Sequence, residues 1–265
     1  MLEINNLTKI FYKGTPNENT AVKNINLDVK NGDFITIVGS NGAGKSTLLN
    51  SIAGVFPVDK GRIILDDQDI TKKCEYKCAQ NIGRVFQNPL AGTSPEMTIE
   101  ENLSLAISKS KNISLRWGLT KSKRKRMRDH LEKIDLGLEK RLTTKVKLLS
   151  GGQRQALTLL MATVANPSLL LLDEHTAALD PATAIKIKNL TSELVNENNI
   201  TTLMITHNME DAIKLGNRLI MMDGGEVIYD IKKEEKENLT IEKLMKMFEV
   251  KHGGKFTNDR MLLSV

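Results

Sequence analysis

One glycine-rich stretch limits the folds that this chain of 265 residues can adopt. Residues 39–47 read GSNGAGKST and fit the pattern G-x-x-x-x-G-K-[ST]. The apolar, β-branched run at 33–39 predicts a buried strand before it, and KSTLLNSIAG predicts a helix after it, closed by Gly54. Strand, turn and helix in this order predict an α/β fold with a loop whose backbone N–H groups surround phosphate oxygens.

The residue types within this loop predict separate roles. Lys45 is expected to reach the β- and γ-phosphates of a nucleotide, and Ser46 to ligate Mg²⁺. Glycine allows the backbone to approach the phosphates closely. The alternative interpretation is a glycine-rich β–α turn with a chance lysine, which the strand–loop–helix context disfavours. The predicted nucleotide-binding residues of the loop are Gly39, Ser40, Asn41, Gly42, Ala43, Gly44, Lys45, Ser46 and Thr47.

An acidic pair supplies the second part of the predicted site. Four leucines at 169–172 predict a buried strand that ends in Asp173 and Glu174. Asp173 is expected in the Mg²⁺ shell, and Glu174 is expected to polarise a water for in-line attack on the γ-phosphate. Taken alone, the pair is better interpreted as a helix cap. The loop at 39–47 in the same α/β pattern favours the catalytic interpretation.

Two further polar residues follow apolar segments. His207 ends the predicted strand TTLMITH, on the sheet edge where ligands bind in α/β proteins. A lone histidine is more often structural, but this position favours a γ-phosphate sensor. Gln87 follows the segment RVF. A glutamine there is able to touch Mg²⁺ or the attacking water, although the residues alone leave its role open.

Composition narrows the classes of partner. Aromatic residues make up 4% of the chain, which argues against a base-stacking platform for nucleic acid, although the net charge is +6. Cys74 and Cys78 have the spacing to share a helix face, but two thiols with no nearby histidine make a poor metal site, so we expect free thiols. The sequence predicts neither a secretory signal nor a membrane-spanning segment. Any membrane role is therefore expected to be peripheral.

The order of segments predicts an α/β core with a helical insertion. Alternating segments near the start predict β-structure, with a hairpin loop at 14–20. From about Val85 to Ala165 the pattern becomes helical, and Thr98 with Glu101 has the spacing of a capping box. Strand and helix patterns then alternate again, with Asp180 as a predicted N-cap.

A second phosphate-type turn lies far from the first. Residues 147–156 read KLLSGGQRQA, with a serine and two glycines at the start of a predicted helix, followed by a stop at Asn166-Pro167. A helix N-terminus favours bound anions, yet this turn has no lysine of its own beside the glycines. One nucleotide-binding chain therefore carries two turns suited to phosphate.

The order of these motifs resembles the ATP-binding subunits of ABC transporters over about residues 1–230. This resemblance implies a P-loop NTPase core with an N-terminal antiparallel β subdomain and an α-helical subdomain inserted at about 88–165. Residues 231–265 form an extension with a short helix at 240–248 and a loosely held tail. The matching motifs are Walker A at 39–47, the Q-loop at Gln87, the signature LSGGQ at 149–153, Walker B at 169–174, the D-loop AALD at 177–180 and the H-loop at His207.

The resemblance also explains the second turn. In this family two cassettes pair head to tail, and each ATP lies between the Walker A loop of one chain and the signature of the other. One lysine per site is then sufficient. The resemblance further implies that Phe11 stacks on the adenine, with Tyr12 beside it left open as the alternative; strand packing is the other interpretation for both. The remaining residues expected at the nucleotide are Ser150, Gly151, Gly152, Gln153 and Asp180.

The partners follow from the same resemblance. The chain is expected to hydrolyse ATP with Mg²⁺, pair with itself or a sister cassette, and drive transmembrane permease subunits from the cytoplasmic face of the membrane. A solute-binding protein is an indirect partner and nucleic acid is not expected. The segments at 91–106 and 159–181 resemble importer cassettes for amino acids. The alternative is a soluble ABC ATPase, such as one for iron–sulfur cluster assembly; a module without hydrolysis conflicts with Glu174 and His207.

Two features depart from the family pattern or go beyond it. His175 stands where the family often has proline, so it is expected either to alter the loop or to place a titratable group near the site, without a catalytic role. Residues 120–129 carry six Lys or Arg. This basic segment lies in the helical insertion and either meets anionic headgroups or forms a solvated helix face.

Overall fold

The computed structural model describes residues 1–108 and 120–251. The strands within these residues are β1 Leu2–Phe11, β2 Asn19–Val29, β3 Phe34–Gly39, β4 Lys60–Leu65, β5 Gln68–Asp69, β6 Ile82–Val85, β7 Leu169–Asp173, β8 Thr201–Ile205, β9 Arg218–Asp223 and β10 Glu226–Ile231. The α-helices are α1 Lys45–Ile52, α2 Glu75–Cys78, α3 Ile99–Ser108, α4 Lys121–Glu132, α5 Gly151–Thr163, α6 Pro181–Glu197, α7 Met209–Lys214, α8 Lys233–Lys236 and α9 Ile241–Lys251.

The chain divides into two compact units. The first contains Met1–Cys78 and the described residues from Thr201 onward, and the second contains Ala79–Ile200. None of the helices among the described residues is long and apolar enough to cross a membrane. The described residues also lack any group of three His, Cys, Asp or Glu placed to hold a metal ion.

The first unit contains an antiparallel sheet in the order β2-β1-β4-β5. Leu2 of β1 faces Val29 on one side and Leu65 on the other, and all three are buried. The alternation of buried and exposed residues in β1 is the pattern of a strand with one face in the core. Residues 12–18 connect β1 to β2, so the loop predicted at 14–20 is confirmed except for Asn19 and Thr20, which lie in β2.

The same unit contains the strand that leads into the glycine-rich loop. All six residues of β3 are buried, and β3 pairs in parallel with both β8 and β9. β9 turns back into antiparallel β10 through Gly224 and Gly225, both with positive φ. Because β3, β8 and β9 run in one direction, the residues that follow each of them lie at one edge of the sheet.

The C-terminal segment belongs to the first unit. Leu244 and Phe248 of α9 are buried against Val38 of β3 and Ala212 of α7. α9 extends to Lys251, three residues beyond the helix predicted at 240–248. The loose tail predicted after it lies outside the described residues.

The second unit is built on the parallel pair of β6 and β7. The four leucines of β7 are completely buried, as predicted for 169–172. Gly83 of β6 lies so close to the end of α5 that a Cβ there would be 2.5 Å from the carbonyl oxygen of Ala162. The backbone N–H of Thr98 donates to Glu101 at 2.7 Å and that of Glu101 to Thr98 Oγ1 at 3.3 Å, which confirms the capping box.

Two local predictions are wrong in detail. α5 ends at Thr163, before the predicted stop at 166–167. Asn166 has φ 48°, the left-handed conformation that glycine or asparagine commonly adopts just after a helix, so the chain has left the helix before Pro167. Cys74 precedes the four-residue α2 and is exposed, while Cys78 is buried, so the thiols do not share a helix face. Both thiols are free, as expected.

Candidate active site

The loop at 39–47 holds its lysine inside its own turn. Lys45 is the first residue of α1 and is 6% exposed. Its ammonium donates to the carbonyl oxygens of Gly39 at 2.7 Å and Ser40 at 2.9 Å. The preceding Gly44 has φ 93°, a conformation that glycine adopts without strain. The loop therefore places a cation and the N-terminus of α1 side by side, which suits a phosphate group.

The turn between β9 and β10 braces this loop. Ser40 Oγ donates to Asp223 Oδ1 at 3.0 Å, and the backbone N–H of Gly225 donates to Ala43 O at 3.2 Å. A Cβ on Gly39 would lie 2.2 Å from Met222 O, so this position has no room for a side chain. Sequence reasoning missed Asp223. The signal was an acidic residue at the end of RLIMMD, an apolar strand of the same pattern as the one ending in Asp173.

His207 lies at the same edge of the first unit as the loop. Ile205 of β8 faces Ile37 of β3 in parallel register, and the backbone N–H of Thr206 donates to Ile37 O at 3.2 Å. His207 follows directly, and Asn208 caps α7 by accepting from the backbone N–H of Asp211 at 2.8 Å. The histidine thus lies between a strand end and a capped helix.

In the second unit, Gln87 lies just after β6, and the acidic pair Asp173 and Glu174 lies at the matching end of the neighbouring strand β7. Val85 of β6 faces Leu172 of β7 in parallel register. Gln87 follows Val85 by two residues, and Glu174 follows Leu172 by two. The backbone therefore brings Gln87, Asp173 and Glu174 to one edge. Glu174 has φ 46°, a left-handed conformation that costs free energy in a residue other than glycine and is frequent at functional sites.

His175 is buried in the packing between β7 and α6. Its Nε2 lies 3.1 Å from Thr191 Oγ1, which itself donates to Ile187 O at 2.7 Å. Since the hydroxyl has one hydrogen, it must accept from an N–H at Nε2 of His175. Burial, and secondarily the charge of Lys188, lower the pKa of His175 to about 4. The imidazole is therefore neutral at pH 7 and contacts α6.

The N-terminus of α5 carries a complete capping box. Ser150 Oγ accepts from the backbone N–H of Gln153 at 3.2 Å, and Gln153 Oε1 accepts from that of Ser150 at 3.2 Å. Gln153 Nε2 also donates to Leu136 O at 3.3 Å, so this predicted nucleotide contact has its side chain engaged within its own chain. Gly151 is exposed, whereas a Cβ on Gly152 would lie 2.2 Å from the side chain of Thr183.

Asp180 caps α6, as predicted. Its carboxylate accepts from the backbone N–H of Thr183 at 3.0 Å, and hydrogen bonds from the hydroxyl and backbone of Thr183 lower the pKa of Asp180. The cap holds its side chain at the start of α6. The expected contact of Asp180 with a nucleotide stays a prediction.

The two candidates for adenine stacking differ in their surroundings. Phe11 forms an edge-to-face pair with Phe56, with ring centroids 5.3 Å apart, and Lys9 Nζ lies 5.3 Å from each centroid. Tyr12 is 72% exposed and has φ 53°. The ring of Phe11 therefore has partners within the protein, and the ring of Tyr12 has a large exposed face.

A buried parallel strand, a glycine-rich loop and an inward lysine at the start of a helix define a P-loop nucleotide-binding protein. The second unit adds a glutamate at a strand end and a capped, exposed helix N-terminus. The family model described as "ABC transporter" matches residues 22–177, and the chain belongs to this family. It is an ABC ATPase, the ATP-binding subunit of a transporter, and the resemblance and fold class predicted from the sequence are confirmed.

Relatives with assigned functions cover nearly the whole chain. The chain is 50% identical over 249 residues to the tyrosine transport ATP-binding protein of Clostridioides difficile strain R20291. This match covers 94% of the present chain and 99% of that protein. It is 37% identical over 232 residues to the energy-coupling factor transporter ATP-binding protein EcfA2 of Clostridium tetani strain Massachusetts / E88, covering 86% and 78%.

A solved structure shows the same fold. The ATP-binding cassette MJ0796, in a dimeric post-hydrolysis state with ADP and Pi, matches with a TM-score of 0.75 and 32% identity. The match covers 88% of this chain and 99% of that one.

Proposed function

We propose that the chain is the ATP-hydrolysing subunit of an importer and works as a head-to-tail dimer. The exposed turn at the N-terminus of α5 carries this proposal. It has a complete cap, an exposed glycine and no acidic residue in its first turn, so it suits an anion, but its glycines are not followed by a lysine as Gly44 is followed by Lys45. A second copy that brings Lys45 and its own ATP supplies what this turn lacks. That the similar cassette MJ0796 is dimeric in a state with ADP and Pi supports the proposal of a dimer.

The residues of each site then have distinct tasks. Lys45 neutralises charge on the β- and γ-phosphates, and His207 contacts the γ-phosphate while water attacks its phosphorus and the bond to the leaving ADP breaks. Glu174 accepts a proton from the attacking water, and Gln87 orients that water. The left-handed backbone of Glu174 fixes where its side chain leaves the strand end.

Mg²⁺ fits the oxygen donors that these residues offer. Ser46 in the first turn of α1, Asp173 at the end of β7 and Gln87 would hold it through hydroxyl, carboxylate and amide oxygens, which Mg²⁺ takes as ligands. When bound, the ion neutralises charge that develops on the phosphate oxygens. The protein holds the nucleotide and the water in line.

The cargo is proposed to be an amino acid. The C. difficile relative is named for tyrosine transport, and the match covers 99% of it. We infer that the chain docks on separate permease subunits at the cytoplasmic face of the membrane, with a solute-binding protein as an indirect partner. ATP hydrolysis by the chain would then drive uptake of tyrosine or a similar amino acid.

The first test compares ATP hydrolysis by the purified chain and by Glu174→Gln. We expect hydrolysis in the parent, a loss of at least 100-fold in the variant, and an ATP-dependent dimer of the variant in size-exclusion chromatography. Ser150→Arg, which blocks the turn but leaves Lys45 in place, should bind ATP without dimerising. A monomeric Glu174→Gln chain saturated with ATP would exclude the head-to-tail arrangement.

The cargo needs a test in cells. A strain that lacks this chain should lose uptake of labelled tyrosine and regain it with the parent gene, but not with Glu174→Gln. Uptake of tyrosine that is unchanged in the deletion strain would refute the cargo and leave the ATPase assignment intact.

A further inference from the structure

A buried lysine in the C-terminal segment has no place in the site described above. Lys236 of α8 is 4% exposed. Its ammonium donates to the carbonyl oxygens of Leu215 and Gly216, the latter at 3.2 Å, and contacts Thr36 Oγ1 at 3.4 Å. A buried ammonium is costly unless such acceptors surround it. Two of these acceptors are the carbonyl oxygens of the residues directly after α7, where the negative end of the helix dipole stabilises a cation.

The helix that Lys236 caps begins beside His207. Asn208 caps the N-terminus of α7, and its backbone N–H donates to Thr206 Oγ1 at 3.1 Å. Thr36 of β3 donates its hydroxyl to Ala212 O in the middle of the helix at 2.8 Å. α7 has six residues, so a bond at its C-terminal end acts about 9 Å from its start. The helix is therefore fixed to β3 at its middle and to Lys236 at its end.

The segment around Lys236 also packs on α7 and β3. Ile231, Leu244 and Phe248 are buried in one apolar cluster. The cluster contains Ala212 of α7 and Val38, which precedes the first glycine of the phosphate loop. The other buried members of the cluster are Leu219 and Met221 of β9.

We propose that Lys236 is a positioning residue for ATP hydrolysis, through which residues 232–249, here called the C-terminal strap, hold α7 and hence His207 in place. The inference rests on the proposed contact of His207 with the γ-phosphate. An apolar side chain would fill the same space at lower cost than an ammonium. The ammonium adds directional hydrogen bonds, and its bonds to Leu215, Gly216 and Thr36 define one position of the end of α7.

The kinetic test compares Lys236→Met with Lys233→Met. Methionine keeps the length of the stem and removes the ammonium, and Lys233 is an exposed lysine of the same short helix. We expect Lys236→Met to lower kcat about tenfold with the KM for ATP within twofold of the parent, since displacement of a reacting group lowers kcat more than ground-state binding. Lys233→Met should match the parent.

Histidine NMR separates positioning from general stability. With the ring carbon of histidine labelled, His207→Ala identifies the resonance of His207. Lys236→Met should shift this resonance and leave that of His130, in the second unit, unchanged. Thr36→Val keeps the volume and removes the hydroxyl between Lys236 and Ala212, so it should shift the same resonance by a smaller amount. If Lys236→Met folds poorly, Thr36→Val still tests whether this contact positions His207.

The outcomes are distinct. If both variants lower the melting temperature while kcat and the His207 resonance match the parent, Lys236 is only structural and the proposal is overturned. If His207→Ala hydrolyses ATP at the parental rate, the role of His207 in the proposed function fails first, and the inference fails with it. A loss of kcat in Lys233→Met equal to that in Lys236→Met also overturns it.

Discussion

The bond between His175 and Thr191 gives a measurable prediction about the segment that carries Glu174. In Thr191→Val the shape of the side chain is kept, but the N–H at Nε2 of His175 loses its acceptor. His175 is 3% exposed, so water cannot replace the lost partner. Leaving a buried donor unpaired costs about 1–3 kcal/mol. At about 2–4 °C per kcal/mol, the melting temperature should fall by roughly 2–12 °C.

The assay is urea and thermal unfolding at pH 7.5, where His175 is neutral. Thr163→Val is the matched control, because Thr163 is also buried in a helix but its hydroxyl donates only to Leu159 and Leu160 of its own helix. This control should stay within about 0.5 kcal/mol of the parent, the range of a substitution that leaves no group unpaired.

A double-mutant cycle isolates the pair. In the His175→Leu background no imidazole N–H is left, so Thr191→Val should cost less than about 0.5 kcal/mol there. An equal cost in both backgrounds would show that the loss comes from packing of Thr191, and the assigned proton at Nε2 would be wrong. Since His175 is next to Glu174, we also expect Thr191→Val to lower ATP hydrolysis.

Three other predictions use different parts of the molecule. Gly216→Ala should lower the free energy of unfolding in urea by at least about 2 kcal/mol, because a Cβ would lie 2.0 Å from Phe34 O. The control is Gly137→Ala, since Gly137 has the same φ of 70° but no atom within 4 Å of the added Cβ. It should cost only about 1 kcal/mol of backbone strain. Burial lowers the pKa of Lys236 from 10.5 to about 8. Between pH 8 and 10.5 the unfolded chain therefore binds one more proton than the folded chain, so the free energy of unfolding rises with pH. The rise is at most about 3 kcal/mol, since the carbonyl acceptors favour the ammonium, and Lys236→Met should lack it. Removal of Mg²⁺ with EDTA should abolish hydrolysis in a steady-state assay, while Mn²⁺, which takes the same oxygen ligands, should restore it.

The sequence predicted the strand ends well, and the reason is physical. A fully apolar, β-branched or leucine-rich run is buried on both faces in a parallel sheet, so its last residue marks the sheet edge. This is why 33–39 and 169–173 were recognisable as strands and why the polar residues after them were candidates. The helix caps at Thr98 and Asp180 were predictable for a similar reason, because side-chain capping depends on residues three positions apart.

Contacts between distant segments could not be predicted in this way. Ser40 and Asp223 are 183 residues apart, and only the parallel pairing of β3 with β9 brings them together. Likewise, the engagement of Gln153 with Leu136 depends on the fold around α5. A signature motif predicted a nucleotide-facing turn, but it did not show that the glutamine side chain is hydrogen-bonded within its own chain.

His175 shows how a departure from a family pattern can be misjudged. The sequence left open whether it alters the loop or brings a titratable group to the site, since both follow from its place beside Glu174. Burial against Thr191 makes it a neutral packing residue whose hydrogen bond ties the end of β7 to α6. Where a proline would restrict the backbone after the glutamate, this chain has a side chain bonded to the next helix.

Lys236 was hidden by its surroundings in the sequence. The segment KKEEKEN has the charge pattern of a solvated helix, and nothing in it separates Lys236 from Lys232 or Lys233. Its burial follows from the fold, because α8 is too short to stand alone and is held by β10 before it and α9 after it. A lysine that is buried in this position needs hydrogen-bond acceptors, and the carbonyl oxygens at the C-terminal end of α7 supply them. The cap of α7 therefore lies in a segment that sequence reasoning places outside the ATPase core, and truncation before residue 232 should impair hydrolysis even though every motif is kept.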